Sequence, residues 1–240
     1  GPPHAGGVRR HRRDRHRALA SACGRGQRSV TTNRRQQAVT AAGVLLAAGT
    51  SRRMGRPKAL LPYRGTTLLH HAIETLCSTA CSPRIVVVSP EVEKSCWLRK
   101  EVDVALVVNP EPGAGLSSSL HVALRAIEAH DSATHDADSV DGILITLVDQ
   151  PLITTEHLNA VLTAGAATGL AATSWATTFG PPTFLYRSFF SSLRDLRGDE
   201  GAKKILLAER ARLRLVEFPD AEMDVDDEED YERLLSGAKA

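Results

Sequence analysis

The sequence predicts a three-layer α/β fold, Rossmann-like, with a mostly parallel sheet and helices on both of its faces. Three observations favour this class. Short apolar runs alternate with segments of helical periodicity between residues 44 and 175. The runs are continuous, as expected for parallel strands that are covered on both faces. Polar motifs follow several of the runs directly, at the strand ends where open α/β sheets bind ligands.

The first half of the domain contains two strongly apolar strands and one clear helix. The run at 44–48 predicts the first strand, and a short strand and turn follow at 60–65. Residues 67–80 place apolar side chains on one face, which predicts a helix. The run at 84–89 predicts the second buried strand, and a short polar helix follows at 92–100.

The second half continues the alternation. A third strand at 102–108 ends at an Asn-Pro pair, and residues 117–129 have a helical apolar face. Residues 130–141 are rich in aspartate and predict an exposed polar loop. The remaining predicted elements are a strand, a threonine-capped helix and a last strand, at 143–148, 154–167 and 170–175.

The first forty residues differ in composition from the rest of the chain. They carry ten arginines and one aspartate, a net charge of +9, whereas the whole chain carries +2. They contain few large apolar residues and no periodicity, so we expect a disordered Arg-rich extension at 1–40 and one folded domain at 41–237. Such a segment suits a transit peptide, a nucleic-acid tail or a solvated extension. We favour the solvated extension and do not expect nucleic acid as a partner.

Cysteine usage and hydropathy bear on the compartment. No C-x-x-C pair is present and no partner residues stand at metal-site spacing, so we expect free thiols and a cytoplasmic protein; the cysteines are Cys23, Cys77, Cys81 and Cys96. No apolar run approaches the ~20 residues that a membrane span needs, and no signal-peptide core precedes the domain. We therefore expect no membrane partner.

The stretch from 44 to 61 joins the first strand to a basic loop. Gly49 allows a sharp turn and leaves backbone N–H groups open to a ligand. Four cations follow within seven residues, Arg52, Arg53, Arg56 and Lys58, which favours a polyphosphate ligand. The spacing matches neither the G-x-x-x-x-G-K-[ST] of a P-loop nor the G-x-G-x-x-G of a dinucleotide site.

The string L-A-A-G-x-S-x-R-M-G-x-P-K in this stretch resembles the signature of nucleotidyltransferases, and most closely the MobA-like molybdenum cofactor cytidylyl- and guanylyltransferases. The resemblance extends over about 42–236 and implies the nucleotide-diphospho-sugar transferase-like fold. It implies that the loop binds nucleotide at Leu46, Ala47, Ala48 and Gly49. It also implies that Arg53 and Lys58 are catalytic and hold the departing β- and γ-phosphates.

A carboxylate follows the strand at 143–148. Asp149 stands in V-D-Q-P-L, which resembles the metal motif of the family, and a carboxylate at a strand end suits Mg²⁺. The alternative is a helix cap or a surface turn. Because one carboxylate holds Mg²⁺ poorly, a second ligand is expected.

The acidic segment at 223–231 offers that second ligand. It resembles the family's D-I-D-T-P-E-D-Y, which implies Asp226 as the better candidate, with Asp224 behind it. Asp227 and Glu228 replace the usual Thr-Pro, so the rigid helix entry that proline provides is missing. The alternative is an acidic start to the last helix, where carboxylates favour the positive end of the dipole.

Three further motifs complete the resemblance. Residues 109–120 resemble N-P-x₄-G-[LM]-x-[ST]-S-[LV] and imply a nucleotide-binding role for Asn109, Gly115 and Ser117; an Asn-Pro turn with a serine cap is the alternative. Residues 179–185 and 196–203 resemble motifs of the acceptor side, and imply that Gly180, Pro182, Asp199 and Lys203 lie there. Lys203 replaces the usual arginine and lacks its forked donors, and a solvated cation remains the alternative.

The resemblance therefore implies a Mg²⁺-dependent nucleotidyltransferase. Its substrates would be a nucleoside triphosphate, with CTP favoured because L-A-A-G replaces L-A-G-G, and a phosphorylated acceptor such as molybdopterin; an enzyme that receives the cofactor is a further expected partner. Alternatives are a sugar-, polyol- or other small phosphate acceptor, a non-catalytic nucleotide-binding accessory protein, or a nucleic-acid binder through 1–40. Some relatives carry oxidoreductase names, but the sequence has no flavin or nicotinamide fingerprint.

Overall fold

The computed structural model describes residues 39–51, 53–95, 103–134 and 139–237. Residues 1–38, on which the prediction of a disordered extension falls, lie outside the described residues, as do Arg52 and part of the helix predicted at 92–100.

Strands and helices alternate along the described chain. The strands are β1 (Ala41–Ala47), β2 (Pro62–Tyr63), β3 (Thr66–Thr67), β4 (Arg84–Val88), β5 (Ala105–Val108), β6 (Gly142–Leu147), β7 (Leu170–Trp175), β8 (Thr178–Tyr186) and β9 (Arg214–Glu217). The helices are α1 (Leu68–Cys77), α2 (Pro90–Ser95), α3 (Leu116–Ala133), α4 (Thr155–Thr168), α5 (Phe190–Arg194), α6 (Ala202–Ala208) and α7 (Glu228–Ser236).

Seven strands form one sheet in the order β5-β4-β1-β6-β8-β7-β9. The pairs β5–β4, β4–β1, β1–β6 and β7–β9 are parallel, whereas β8 is antiparallel to both β6 and β7. Because only β8 runs against the others, the sheet is mostly parallel, as predicted. The strands β2 and β3 form a separate hairpin.

The sheet is covered on both faces, and β1 shows why its sequence is continuously apolar. Leu45 and Ala47 pack on the face covered by α1, α4 and α7, while Val44 and Leu46 pack on the face covered by α3, α5 and α6. Successive side chains of a strand point to opposite faces, so a strand buried on both faces needs apolar residues at every position. The three-layer prediction is therefore confirmed.

One local prediction is confirmed and one is partly wrong. The short strand and turn predicted at 60–65 correspond to β2 and the turn of the β2–β3 hairpin, which follow a 3-10 turn at Lys58–Leu60. The loop predicted at 130–141 begins later, because α3 continues to Ala133. Asp131 within that extension accepts a hydrogen bond from Val140 N and pairs with Arg187, so it does not interrupt the helix.

The strands β8 and β9 and the helices α5 and α6 were not predicted. Pro181 and Pro182 concealed β8, since proline cannot donate to a sheet ladder. The ladder absorbs them through a register shift: Ala172 pairs with Thr183, and Thr173 pairs with Gly180. None of the helices in the described ranges is long and apolar enough to cross a membrane.

Candidate functional site

The basic loop after β1 is folded back on itself. Leu46 and Ala47 at the end of β1 and Ala48 after them are buried, whereas Gly49 is exposed. The hydroxyl of Ser51 is buried and accepts a hydrogen bond from Lys58 N at 3.0 Å. That bond closes the loop and fixes the backbone of Lys58 at the start of the 3-10 turn.

Two chain segments bring carboxylates to the same place. Asp149 lies just after β6, and its carbonyl oxygen accepts a hydrogen bond from Val225 N at 2.9 Å. This backbone contact holds the acidic segment against the end of β6. Ligand oxygens of Asp149, Asp224 and Asp226 all lie within 4.8 Å of one another.

Lys58 lies between two of these carboxylates. Its Nζ donates to Asp149 Oδ2 at 2.8 Å and to Asp226 Oδ1 at 2.9 Å. Burial lowers the pKa of Lys58, but the charge of Asp149 and the hydrogen bonds to both carboxylates outweigh it, so the pKa is raised above its ordinary value. Arg53 is more exposed and lies 3.7 Å from Asp226 Oδ2.

Asp224 belongs to the cluster as closely as Asp226, although the sequence ranked it second. Burial first, and the charge of Asp149 next, raise the pKa of Asp224 to about 7. Asp149 Oδ1 and Asp224 Oδ1 are buried and have no hydrogen-bond partner among the described residues. Buried unpaired carboxylate oxygens are costly, and a hard divalent cation satisfies them. The donor set of Asp149, Asp224 and Asp226 therefore fits a hard divalent cation.

The helix entry at Asp227 is secured without proline. The Asp227 side chain accepts from Asp230 N at 3.1 Å, and Asp230 Oδ2 accepts from Asp227 N at 3.3 Å, which makes a capping box. Glu228 pairs with Arg56 of the basic loop, with 2.9 Å between Nη2 and Oε1. The departure from Thr-Pro thus gives a capped helix and a further contact between the basic loop and the acidic segment.

The segment at 109–119 forms a rigid turn. Asn109 is 1% exposed; its Nδ2 donates to the hydroxyls of Ser118 and Ser119, and its Oδ1 accepts from Glu111 N. Ser117 donates from both N and Oγ to Gly198 O, at 3.0 and 2.8 Å. The side chains of Asn109 and Ser117 therefore form hydrogen bonds within the protein. Their role in nucleotide binding stays a prediction, in which they act by fixing the shape of the turn.

Gly115 lies against the turn that carries Asp199. Its φ is +93°, and a Cβ at this position would lie 2.3 Å from Gly198 C. Only glycine tolerates both the left-handed backbone and this close approach. The structure thus joins the predicted nucleotide turn to the predicted acceptor turn, which the spacing of the sequence did not indicate.

The other residues predicted for the acceptor side include Gly180 and Pro182 in β8 and Lys203 on α6. Gly180 and Pro182 are buried within the strand, whereas Asp199 is exposed. Lys203 Nζ donates to Thr178 Oγ1 at 3.0 Å and lies 5.8 Å from the Phe179 ring centroid. Arg210, which no motif indicated, lies over the same ring with its Cζ 4.6 Å from the centroid. Two cations therefore share one aromatic ring.

Comparison with known proteins identifies related sequences. A model of the MobA-like NTP transferase domain matches residues 43–213. The purine catabolism protein PucB of Bacillus subtilis is 33% identical over 175 residues, which cover 68% of this chain and 79% of PucB. Nicotine blue oxidoreductase of Paenarthrobacter nicotinovorans is 31% identical over 205 residues, 80% of this chain and 95% of that protein. A probable molybdenum cofactor guanylyltransferase of Rhodopirellula baltica is 33% identical over 117 residues, 48% of this chain and 51% of that protein.

A solved structure with similar architecture contains a metal. The manganese complex of Rv0371c from Mycobacterium tuberculosis matches with a TM-score of 0.64 and 30% identity, covering 83% of this chain and 100% of that one. This likeness agrees with the seven-stranded, mostly parallel sheet described above.

Proposed function

The chain belongs to the MobA-like NTP transferase family and is a nucleotidyltransferase, and we propose that it transfers a nucleoside monophosphate to a phosphorylated small-molecule acceptor with release of pyrophosphate. One observation carries the proposal: the basic loop meets the carboxylate cluster, with Lys58 in contact with Asp149 and Asp226. Transfer of a nucleotidyl group needs cations for the leaving phosphates and carboxylates for a divalent metal. Both lie at this edge of the sheet.

In the proposed reaction, a phosphate oxygen of the acceptor attacks the α-phosphorus of the triphosphate. The bond from the α-phosphorus to the bridging oxygen breaks, and pyrophosphate leaves with the electron pair. The chain contributes position and charge rather than a covalent intermediate. Backbone N–H groups at Ala48 and Gly49, with Arg53 and Lys58, hold the β- and γ-phosphates and stabilise the charge that develops there.

Asp149, Asp224 and Asp226 would hold Mg²⁺, since all three offer carboxylate oxygens. When bound, Mg²⁺ neutralises phosphate charge and favours departure of pyrophosphate. In the absence of the metal, the same carboxylates would repel a triphosphate. Lys58 and Arg53 offset part of the carboxylate charge.

Cytidine triphosphate is the proposed nucleotide, and the L-A-A-G string supports it. The turn at 109–119 would lie beside the base and ribose; Asn109 holds its shape, and Gly115 and Ser117 fix it to Gly198. Because these contacts are internal, base selection would come mainly from backbone groups of the turn.

Molybdopterin is the proposed acceptor, in a cytoplasmic enzyme that passes its product to a cofactor-receiving enzyme. The related molybdenum cofactor guanylyltransferase supports this acceptor class. The exposed cations Lys203 and Arg210 have no ion-pair partner in the ranges that the structure describes. Both lie beside the Phe179 ring, where they would be available to an anionic acceptor. The guanidinium of Arg210 supplies the forked donors that Lys203 lacks.

Pyrophosphate release tests the proposal directly. Purified protein is given Mg²⁺, each of the four nucleoside triphosphates, and either molybdopterin or a sugar phosphate. We expect the fastest release with cytidine triphosphate and molybdopterin. Nucleotide binding in a thermal-shift assay without release from any pair would instead identify a nucleotide-binding accessory protein.

Two variants separate the proposed roles. Lys58→Ala should lower turnover by about 10²–10³-fold, as expected when one transition-state donor is lost. Asp149→Asn should abolish the response to Mg²⁺, while Asp195→Asn, at an exposed carboxylate after α5, should leave it unchanged. A normal Mg²⁺ titration of Asp149→Asn would remove Asp149 from the site.

A further inference from the structure

We infer that Lys58 competes with the divalent metal for Asp149 and Asp226, so that metal binds tightly only together with a triphosphate. The inference rests on the proposed function and adds to it an order of events. Lys58 has two alternative anionic partners, the carboxylates that it contacts and the phosphates of the nucleotide.

The competition follows from shared oxygens. Lys58 Nζ lies 2.8 Å from Asp149 Oδ2 and 2.9 Å from Asp226 Oδ1, which are short charge-assisted hydrogen bonds. A divalent cation bound by the same two carboxylates would lie within a few ångströms of the ammonium group. Like charges at such separations in a partly buried site repel strongly. Either the ammonium group moves, or the metal binds weakly.

Burial makes this competition stronger than at a surface. The Lys58 side chain is only 11% exposed and that of Asp149 only 19%, so water screens the pair little. Removal of Lys58 from its partners would also leave a buried cation unpaired, which is costly unless another anion takes their place. A triphosphate in the basic loop supplies that anion.

The local geometry allows the side chain to move while the backbone stays fixed. Lys58 N donates to Ser51 Oγ at 3.0 Å, and Leu61 N donates to Lys58 O at 3.0 Å, so the main chain of Lys58 is held at both ends. The ammonium group lies at the end of a flexible four-carbon stem. Rotation about side-chain bonds is therefore sufficient to exchange the carboxylates for phosphate oxygens.

Some carboxylate oxygens of the cluster are not bonded to Lys58 and would be available to a metal. Asp149 Oδ1 and Asp224 Oδ1 are buried without a hydrogen-bond partner in the described chain. Lys58 therefore satisfies only part of the carboxylate cluster, and a cation of higher charge would satisfy the rest. When a triphosphate draws Lys58 away, all three carboxylates become available together.

Direct metal binding tests the inference without any turnover. Mn²⁺ is titrated into wild type, Lys58→Met and Arg56→Met, with free Mn²⁺ followed by electron paramagnetic resonance and no nucleotide present. Lys58→Met should bind Mn²⁺ about tenfold more tightly than wild type, or better. Arg56→Met removes the same charge from the loop but not from the carboxylates, since Arg56 pairs with Glu228, and its affinity should stay within about threefold of wild type.

Nucleotide supplies the second arm. Cytidine triphosphate should increase the Mn²⁺ affinity of wild type, after correction for the Mn²⁺ that the free nucleotide binds in solution. The increase should be much smaller for Lys58→Met. Lys58→Arg, which keeps the cation, should behave like wild type. If Lys58→Met is too unstable to titrate, Mn²⁺ should raise its midpoint of thermal unfolding more than that of wild type.

Equal Mn²⁺ affinity of wild type and Lys58→Met, or equal thermal shifts, would overturn the inference. That result is distinct from failure of the proposed function, which is measured as absence of pyrophosphate release. If Lys58 competes with Mn²⁺ but no pyrophosphate is released, the inference about Lys58 stands and only the proposed reaction is wrong.

Discussion

His157 gives the sharpest prediction for stability, because its protonation state follows from its contacts. It lies on α4, 6% exposed, and stacks on Phe218 with 4.3 Å between ring centroids. Its Nε2 lies 2.8 Å from Thr173 Oγ1, and the Thr173 hydroxyl donates its proton to Pro182 O. Thr173 must therefore accept from His157, so Nε2 carries the proton of a neutral ring.

Acid should remove stability through this residue. Burial lowers the pKa of His157 from 6.5 to about 4 in the folded protein. Above pH 6.5 the ring is neutral in both states and its contribution is complete. Below pH 6.5 the unfolded chain binds a proton that the folded state binds only near pH 4, so stability falls across this window. At about 1.4 kcal/mol for each pKa unit, the loss amounts to about 3 kcal/mol.

Urea unfolding of wild type and His157→Gln at several pH values between 4 and 7 measures the effect. Glutamine can still donate to Thr173 but does not titrate. The carboxylates contribute to the pH dependence in both proteins alike, so the difference between the two curves isolates His157. The difference should change by about 3 kcal/mol between these limits. Parallel curves would show that His157 is not held neutral.

Other variants test the turn, the cap and the acceptor side. Gly115→Ala should destabilise the protein by about 2 kcal/mol or more in urea unfolding, because of the positive φ and the contact with Gly198, and should weaken nucleotide binding. Asp227→Ala should cost about 1 kcal/mol by loss of the α7 cap, measured in the same way. Arg210→Gln should raise KM for the acceptor about tenfold without changing KM for the triphosphate, while Arg214→Gln on β9 should change neither; equal effects of the two would remove Arg210 from the acceptor side.

The central sheet could be predicted from the sequence because its strands are buried on both faces. Continuous apolar runs located β1, β4, β6 and β7 within a few residues of their observed bounds. The strand β8 carries two prolines that break the apolar pattern, and its neighbour compensates by a register shift. The strand β9 has only four residues, too few for a periodicity to be recognised.

Part of the candidate site could be predicted because its carboxylates stand in recognisable sequence patterns. Asp149 was marked by its place after an apolar strand, and the D-x-D spacing marked Asp224 and Asp226 together, but only burial distinguishes them. Val225 between them is buried in the core, so both carboxylates face away from it. The sequence ranked them by resemblance, whereas the structure gives each a different environment: Asp226 pairs with Lys58 and Arg53, and Asp224 is buried near the like charge of Asp149.

Contacts between distant segments could not be predicted at all. Ser117 bonds to Gly198 across 81 residues, and Arg210 lies over Phe179 although no motif contains it. Neither contact produces a recognisable pattern in the sequence, because each depends on how the fold places two distant segments. Resemblance located the motifs, and only the fold showed which of them touch.

The charges of the site explain why its two halves depend on each other. The carboxylates of the cluster repel one another, which is part of the reason that the pKa of Asp224 is raised, and the cations of the basic loop likewise repel. Pairing of Lys58 with Asp149 and Asp226, and of Arg53 with Asp226, offsets both repulsions. Metal alone would displace cations that have no other partner, and triphosphate alone would expose carboxylates that have none. Under the proposed function, the arrival of both together would let the cations pass to phosphate and the carboxylates to metal, so that no buried charge is left unpaired.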